Sequence, residues 1–89
     1  MPTVELLADE PVLDSRDRVV FAAAVDGRRV RCAISAEALA HYGGHGPKDA
    51  ISTFERSRKV IAKLIESLVA AGRAINGQLN ITEPDMSHR

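Results

Sequence analysis

The sequence predicts a two-layer α+β fold: an antiparallel sheet of three to four strands with a short and a long helix packed on one face. Three observations carry this expectation. Asp26-Gly27 stands between two apolar runs of alternating period, Ser35 follows as a helix cap, and an apolar stripe of helical period runs from Ile51 to Leu68. The expected order of elements is strand, strand, strand, helix, helix, strand.

The first two of those strands are one over Thr3-Val4-Glu5-Leu6 and the first arm of a hairpin. A two-residue type I′ turn needs positive φ at both positions, which Asp tolerates and Gly adopts without strain. With Asp26 and Gly27 as the turn, Val19, Phe21 and Ala23 face Ile34, Cys32 and Val30 on one side of the sheet. Val20, Ala22 and Ala24 face Ala33, Arg31 and Arg29 on the other. A slip of one residue turns Arg29 and Arg31 into the core, so the pattern selects its own register.

At Ser35 the period changes. Its hydroxyl suits an N-cap, Ile34 and Leu39 occupy the positions of a hydrophobic staple, and Glu37 sits where a helix dipole favours an anion. Gly43-Gly44 ends this short helix. The long helix begins at Pro47, which suits the first helical position, and stops at Gly72, which suits the position past the last turn. Ile51, Phe54, Arg58, Ile61, Ile65 and Leu68 mark its apolar stripe, and as one continuous rod the span is roughly 37 Å long. Beyond it, Gln78-Leu79-Asn80-Ile81 alternates as a short half-buried strand does.

Composition points to a single domain over 1–89, with a core at about 3–82 and a tail at 83–89. One cysteine excludes an internal disulfide, and no apolar stretch reaches the ~20 residues of a membrane span. The amino terminus lacks the layout of a signal peptide, so a cytoplasmic location is expected. Twelve Lys and Arg balance twelve Asp and Glu, and there are two Phe, one Tyr and no Trp. A neutral total with few stacking aromatics speaks against a strong nucleic-acid binder.

The order and spacing of several short motifs resemble a known group. They are Val19-x-Phe21, Asp26-Gly27, Val30-Arg31-Cys32-Ala33-Ile34-Ser35, Glu37-Ala38-Leu39 and Phe54-Glu55-x-x-Arg58-x-x-Ile61. Together they resemble a small bacterial family, domain-of-unknown-function family 1488, over about residues 3 to 86. The resemblance implies an antiparallel sheet covered on one face by two helices. It implies no activity. The Gly43-Gly44-His45-Gly46-Pro47 connection departs from many relatives and leaves the angle between the helices open.

Candidate site residues are sparse. His41 and His45 have the spacing of helical metal ligands and Cys32 carries a thiol, but Gly43-Gly44 breaks the helix between the histidines, and His88 lies in the tail. No metal site and no cofactor are expected. Ser35, Ser52, Thr53 and Ser57 lack a nucleophile's setting, and the glycine-rich loop lacks the Lys-Ser/Thr of a phosphate loop, so an enzyme is not expected. Arg58 interrupts the apolar stripe. Two readings stay open: its guanidinium leaves the core to pair with a carboxylate of the acidic segment (Asp9, Glu10, Asp14, Asp17), or it contacts an anion together with the hairpin arginines.

Three function classes follow. The leading expectation is a non-catalytic protein-interaction module, self-associating as a homodimer through Val20, Ala22, Ala24, Arg29, Arg31 and Ala33 on the second face of the hairpin. The second is a weak nucleic-acid or anion binder using Arg29, Arg31, Arg56, Lys59 and Lys63. The third is a subunit of an enzyme whose site has no recognisable motif.

Overall fold

Asp26 and Gly27 both take positive φ, 52° and 84°, as a type I′ turn requires. The computed structural model, which describes residues 3–7 and 11–82, builds its sheet outward from this turn. Strand β1 spans Val4–Leu6, β2 Val12–Leu13, β3 Arg18–Val25 and β4 Arg28–Ser35. Phe21 lies opposite Cys32, Ala22 opposite Arg31 and Ala24 opposite Arg29, the register the alternation predicts. Cys32 is buried and Arg31 exposed.

Helix α1 spans Ala36–Leu39, and Ser35 Oγ accepts from the Ala38 amide at 3.1 Å. A 3-10 turn over Ala40–Tyr42 continues it. The end is a Schellman stop: the Gly44 amide donates to the Leu39 carbonyl and the Gly43 amide to the Ala40 carbonyl, with Gly43 at φ 93°. Gly44 serves a different need. A Cβ there would lie 3.1 Å from the Leu39 carbonyl oxygen and 3.2 Å from Thr53 Oγ1. Gly44 thus lies where α1 and the next helix approach closely.

The long helix is not one rod. A 3-10 turn at Pro47–Asp49 leads into α2, Ala50–Arg56, and α3 follows over Arg58–Ala70. At Ser57, with φ −110° and ψ 14°, the amide bonds back three residues to Phe54 rather than four. Breaks of this kind occur where local bonding replaces the regular ladder. The stripe shifts accordingly: Ala50, Thr53 and Phe54 are buried on α2, while Ile51 is 37% exposed. On α3, Ile61, Ile65 and Leu68 are buried as expected. Gly72 and Arg73 close α3 through bonds to the Val69 and Leu68 carbonyls.

Strand β5, Gln78–Ile81, corrects the expectation of a wholly antiparallel sheet. It pairs in parallel with β4, Cys32 beside Leu79 and Ile34 beside Ile81. The helical layer between β4 and β5 is the crossover that a parallel pair demands. Strand order is β1-β3-β4-β5, with β2 also pairing β3. Only β2 lies outside the expected set, and the frayed tail expected at 83–89 lies outside the described residues.

All three helices cover the same face. Val19, Phe21, Ala23, Cys32 and Ile34 pack with Leu79 and Ile81 of β5 against Leu39, Phe54, Ile61 and Ile65. The rings of Phe21 and Phe54 are 4.5 Å apart at 43°. Removing Phe54 empties the centre, so Phe54→Ala costs about 3–5 kcal/mol in chemical denaturation. Gly44→Ala forces a methyl against a backbone carbonyl that has little room to move, and costs about 1–3 kcal/mol. A Gly44→Ala protein as stable as the parent would show that the two helices separate freely at this crossing.

Candidate functional site

The residues singled out by sequence fall in three places. Cys32 is in the core, its thiol donating to the Val30 carbonyl at 3.7 Å, and burial pushes its pKa up to about 12. A thiol so placed is protonated at neutral pH and unreactive. His41 and His45 lie on the α1 side of the molecule, both exposed, and His88 falls outside the described residues. Among the described residues no three His, Cys, Asp or Glu side chains gather as a metal site does. Ser35 is committed to its cap, and Thr53 Oγ1 donates to Asp49 Oδ2 at 3.3 Å and accepts from Arg56 Nη2 at 3.4 Å.

Arg58 is a clamp between layers. Its guanidinium carbon stands 5.4 Å from the centre of the Phe54 ring. Nη1 donates to Glu55 Oε1 at 2.9 Å, and Nη2 donates to the Leu7 carbonyl at 3.0 Å. Among the described residues the carboxylate that Arg58 meets is Glu55 of its own helical layer. Asp9 and Glu10 lie outside the described residues, and Asp14 pairs with Arg18. The described part of the amino-terminal segment is engaged through a backbone oxygen, the Leu7 carbonyl. No alternation rule signals such a partner. Arg29 and Arg31 lie on the open face, on the opposite side of the sheet from the helical layer that carries Arg58, so these two do not share an anion site with it.

Asp14 organises the entry to β3. Its Oδ1 accepts from the Arg16 and Arg18 amides, and its Oδ2 from Arg18 Nε at 2.9 Å and Nη2 at 2.8 Å. The Arg18 amide foremost, with the Arg18 guanidinium and the Arg16 amide, holds the Asp14 carboxyl below the ordinary carboxylate range against some desolvation. A lowered folded pKa means that the stabilisation is complete above the unfolded value and fades as the pH falls through the folded one.

Among the described residues no helix covers the second face of the sheet. It presents Glu5 on β1, Val12 on β2, Val20, Ala22 and Ala24 on β3, Arg29, Arg31 and Ala33 on β4, and Gln78 and Asn80 on β5. Val12 is 59% exposed. Ala22 and Ala33, both expected at the interface, are only 6% exposed. The basic residues proposed as one binding surface are split: Arg29 and Arg31 lie on this face, while Arg56, Lys59 and Lys63 lie on the helical layer behind it.

Arg58→Met keeps the stem over Phe54 but loses the bond to Leu7, and the cost is about 1 kcal/mol with unfolding still cooperative. Amide exchange rises most at 4–7, and an unfolded Arg58→Met protein would contradict this. For Asp14, Asp14→Asn flattens the acid limb of the stability curve relative to the parent. Identical acid limbs would show that Asp14 is not held in this network.

The family described as "Protein of unknown function (DUF1488)" matches residues 8–81. No curated protein matches the chain. A solved structure of a protein of unknown function from the same family, from Shewanella loihica PV-4, is similar with a TM-score of 0.67 and 20% identity. It covers 88% of this chain and 90% of its own, and it shares the fold. With five-sixths of its length inside the family model and its sheet and helices arranged as in that relative, this chain belongs to the DUF1488 family.

Proposed function

We propose that this protein is a small non-catalytic interaction module whose open sheet face pairs with the same face of a second copy. One observation carries the reading: helices cover one side of the sheet, and the other side keeps apolar side chains, Val12, Val20 and Ala24, with no helix of the described residues over them. Charge favours a like partner. Glu5, Ala24 and Arg29 lie level across β1, β3 and β4. A two-fold axis along β3 at Ala24 places each copy's Glu5 opposite the other's Arg29, whereas an axis across the strands stacks arginine on arginine. Self-complementary contact of this kind is the usual form of a dimer interface.

Size decides the strength. Four strands about 4.8 Å apart and up to about 26 Å long give at most about 500 Å² per copy. A standard interface takes about 800 Å² from each partner, so the association is weak and reversible. Light scattering over a concentration series reads this directly. The parent dimerises at high concentration, while Val12→Glu with Ala24→Lys stays a folded monomer. A parent that is monomeric throughout would overturn the reading.

A further inference from the structure

On the β4–β5 side of the open face is a depression of about 240 Å³, bordered by Arg18, Val20, Arg31, Ala33, Gln78 and Asn80. Val20, Ala33 and Asn80 form one level row, and Arg31 and Gln78 form the next. The small Ala33 side chain lowers the middle of the patch. Arg18 and Arg31 stand at its two ends, about 13 Å apart along the strands. No Asp or Glu is among the described residues that border it, and Asp14 pairs with Arg18 from outside the lining.

Arg18 and Asn80 are oriented before any ligand arrives. Asp14 Oδ2 takes Nε and Nη2 of Arg18, which fixes the guanidinium plane and turns Nη1 to Asn80 Oδ1 at 3.4 Å. Asp14 Oδ1 is already taken by two backbone amides. The Asn80 oxygen is occupied by Arg18, so its amide nitrogen remains as a donor only. Gln78 contributes a second carboxamide beside Arg31. Two guanidiniums and two amides from three strands thus surround one hollow.

We propose that this depression is an oxyanion site that takes a phosphoryl group. A planar carboxylate has two oxygens and matches one guanidinium fork. A phosphoryl group has three terminal oxygens, carries up to two charges, and meets donors from both ends and from the β5 side at once. Pre-orientation matters because a donor already held in place loses less freedom on binding. Phosphate, free or carried on a small organic molecule, is the chemistry selected. The inference does not rest on self-association, although Val20, Ala33 and Arg31 belong to both surfaces.

The test is a titration with inorganic phosphate near neutral pH, at constant ionic strength made up with sodium chloride. It is followed by nuclear magnetic resonance at a protein concentration where scattering shows monomer. Saturable shifts are expected at the side-chain N–H groups of Arg18, Arg31, Gln78 and Asn80. Arg31→Gln weakens binding at least about fivefold by removing one charged end. Arg28→Gln makes the same charge change on the same hairpin outside the depression, and leaves affinity within about twofold because screening is strong at that distance. Equal weakening by both variants, or shifts that never saturate, would overturn the site. A chain monomeric at every concentration removes the association reading and leaves this one standing.

Discussion

The structure depends on the register of one hairpin. Type I′ geometry at Asp26-Gly27 fixes which residues of β3 and β4 are level, and with a side-chain period of two that choice assigns every residue to a face. Phe21, Cys32 and Ile34 go to the core, where Phe54 and Ile61 meet them. Arg29 and Arg31 go outward. The turn also anchors β1, since Asp26 Oδ1 accepts from the Thr3 amide at 2.8 Å and the Asp26 amide donates to the Thr3 carbonyl. One dipeptide therefore sets the centre and one edge of the sheet.

Much of this could be read in the residues because the governing rules are local. A turn, a cap and a stop each act within a few positions, and Ser35 and Gly72 sit where capping chemistry needs them. The misses are contacts made across the chain. Parallel pairing of β5 depends on where the helices return the chain, and a four-residue alternating segment carries no direction. The kink at Ser57 falls inside an unbroken stripe of helical period, so periodicity passed over it. Asn76-Gly77 did carry a local signal: with φ 53° and 74° it repeats the positive-φ turn before β5, and the Gly77 carbonyl accepts from the Arg31 amide. Its dipeptide matches the turn rule applied at Asp26-Gly27.

The site follows the same division. The core face holds the groups whose chemistry is suppressed, a thiol raised by burial and a threonine hydroxyl bonded on both sides. Arg58 sits between the layers and joins Phe54, Glu55 and Leu7. The open face gathers small apolar side chains beside the oriented Arg18 and Asn80. Alternation showed which arginines reach that face, but not the role of Arg18, Gln78 and Asn80, because the depression exists only once β5 lies beside β4.

The central claim is that the hairpin register divides the sheet into a packed and an open face. Proton–proton contacts in solution measure this most directly. Phe21 is expected to show backbone contacts to Cys32 and ring contacts to Phe54, while the Arg31 side chain shows none to the helices. Pairing of Phe21 with Arg31 or Ala33, together with contacts from Arg31 to Ile61 or Ile65, would contradict the account.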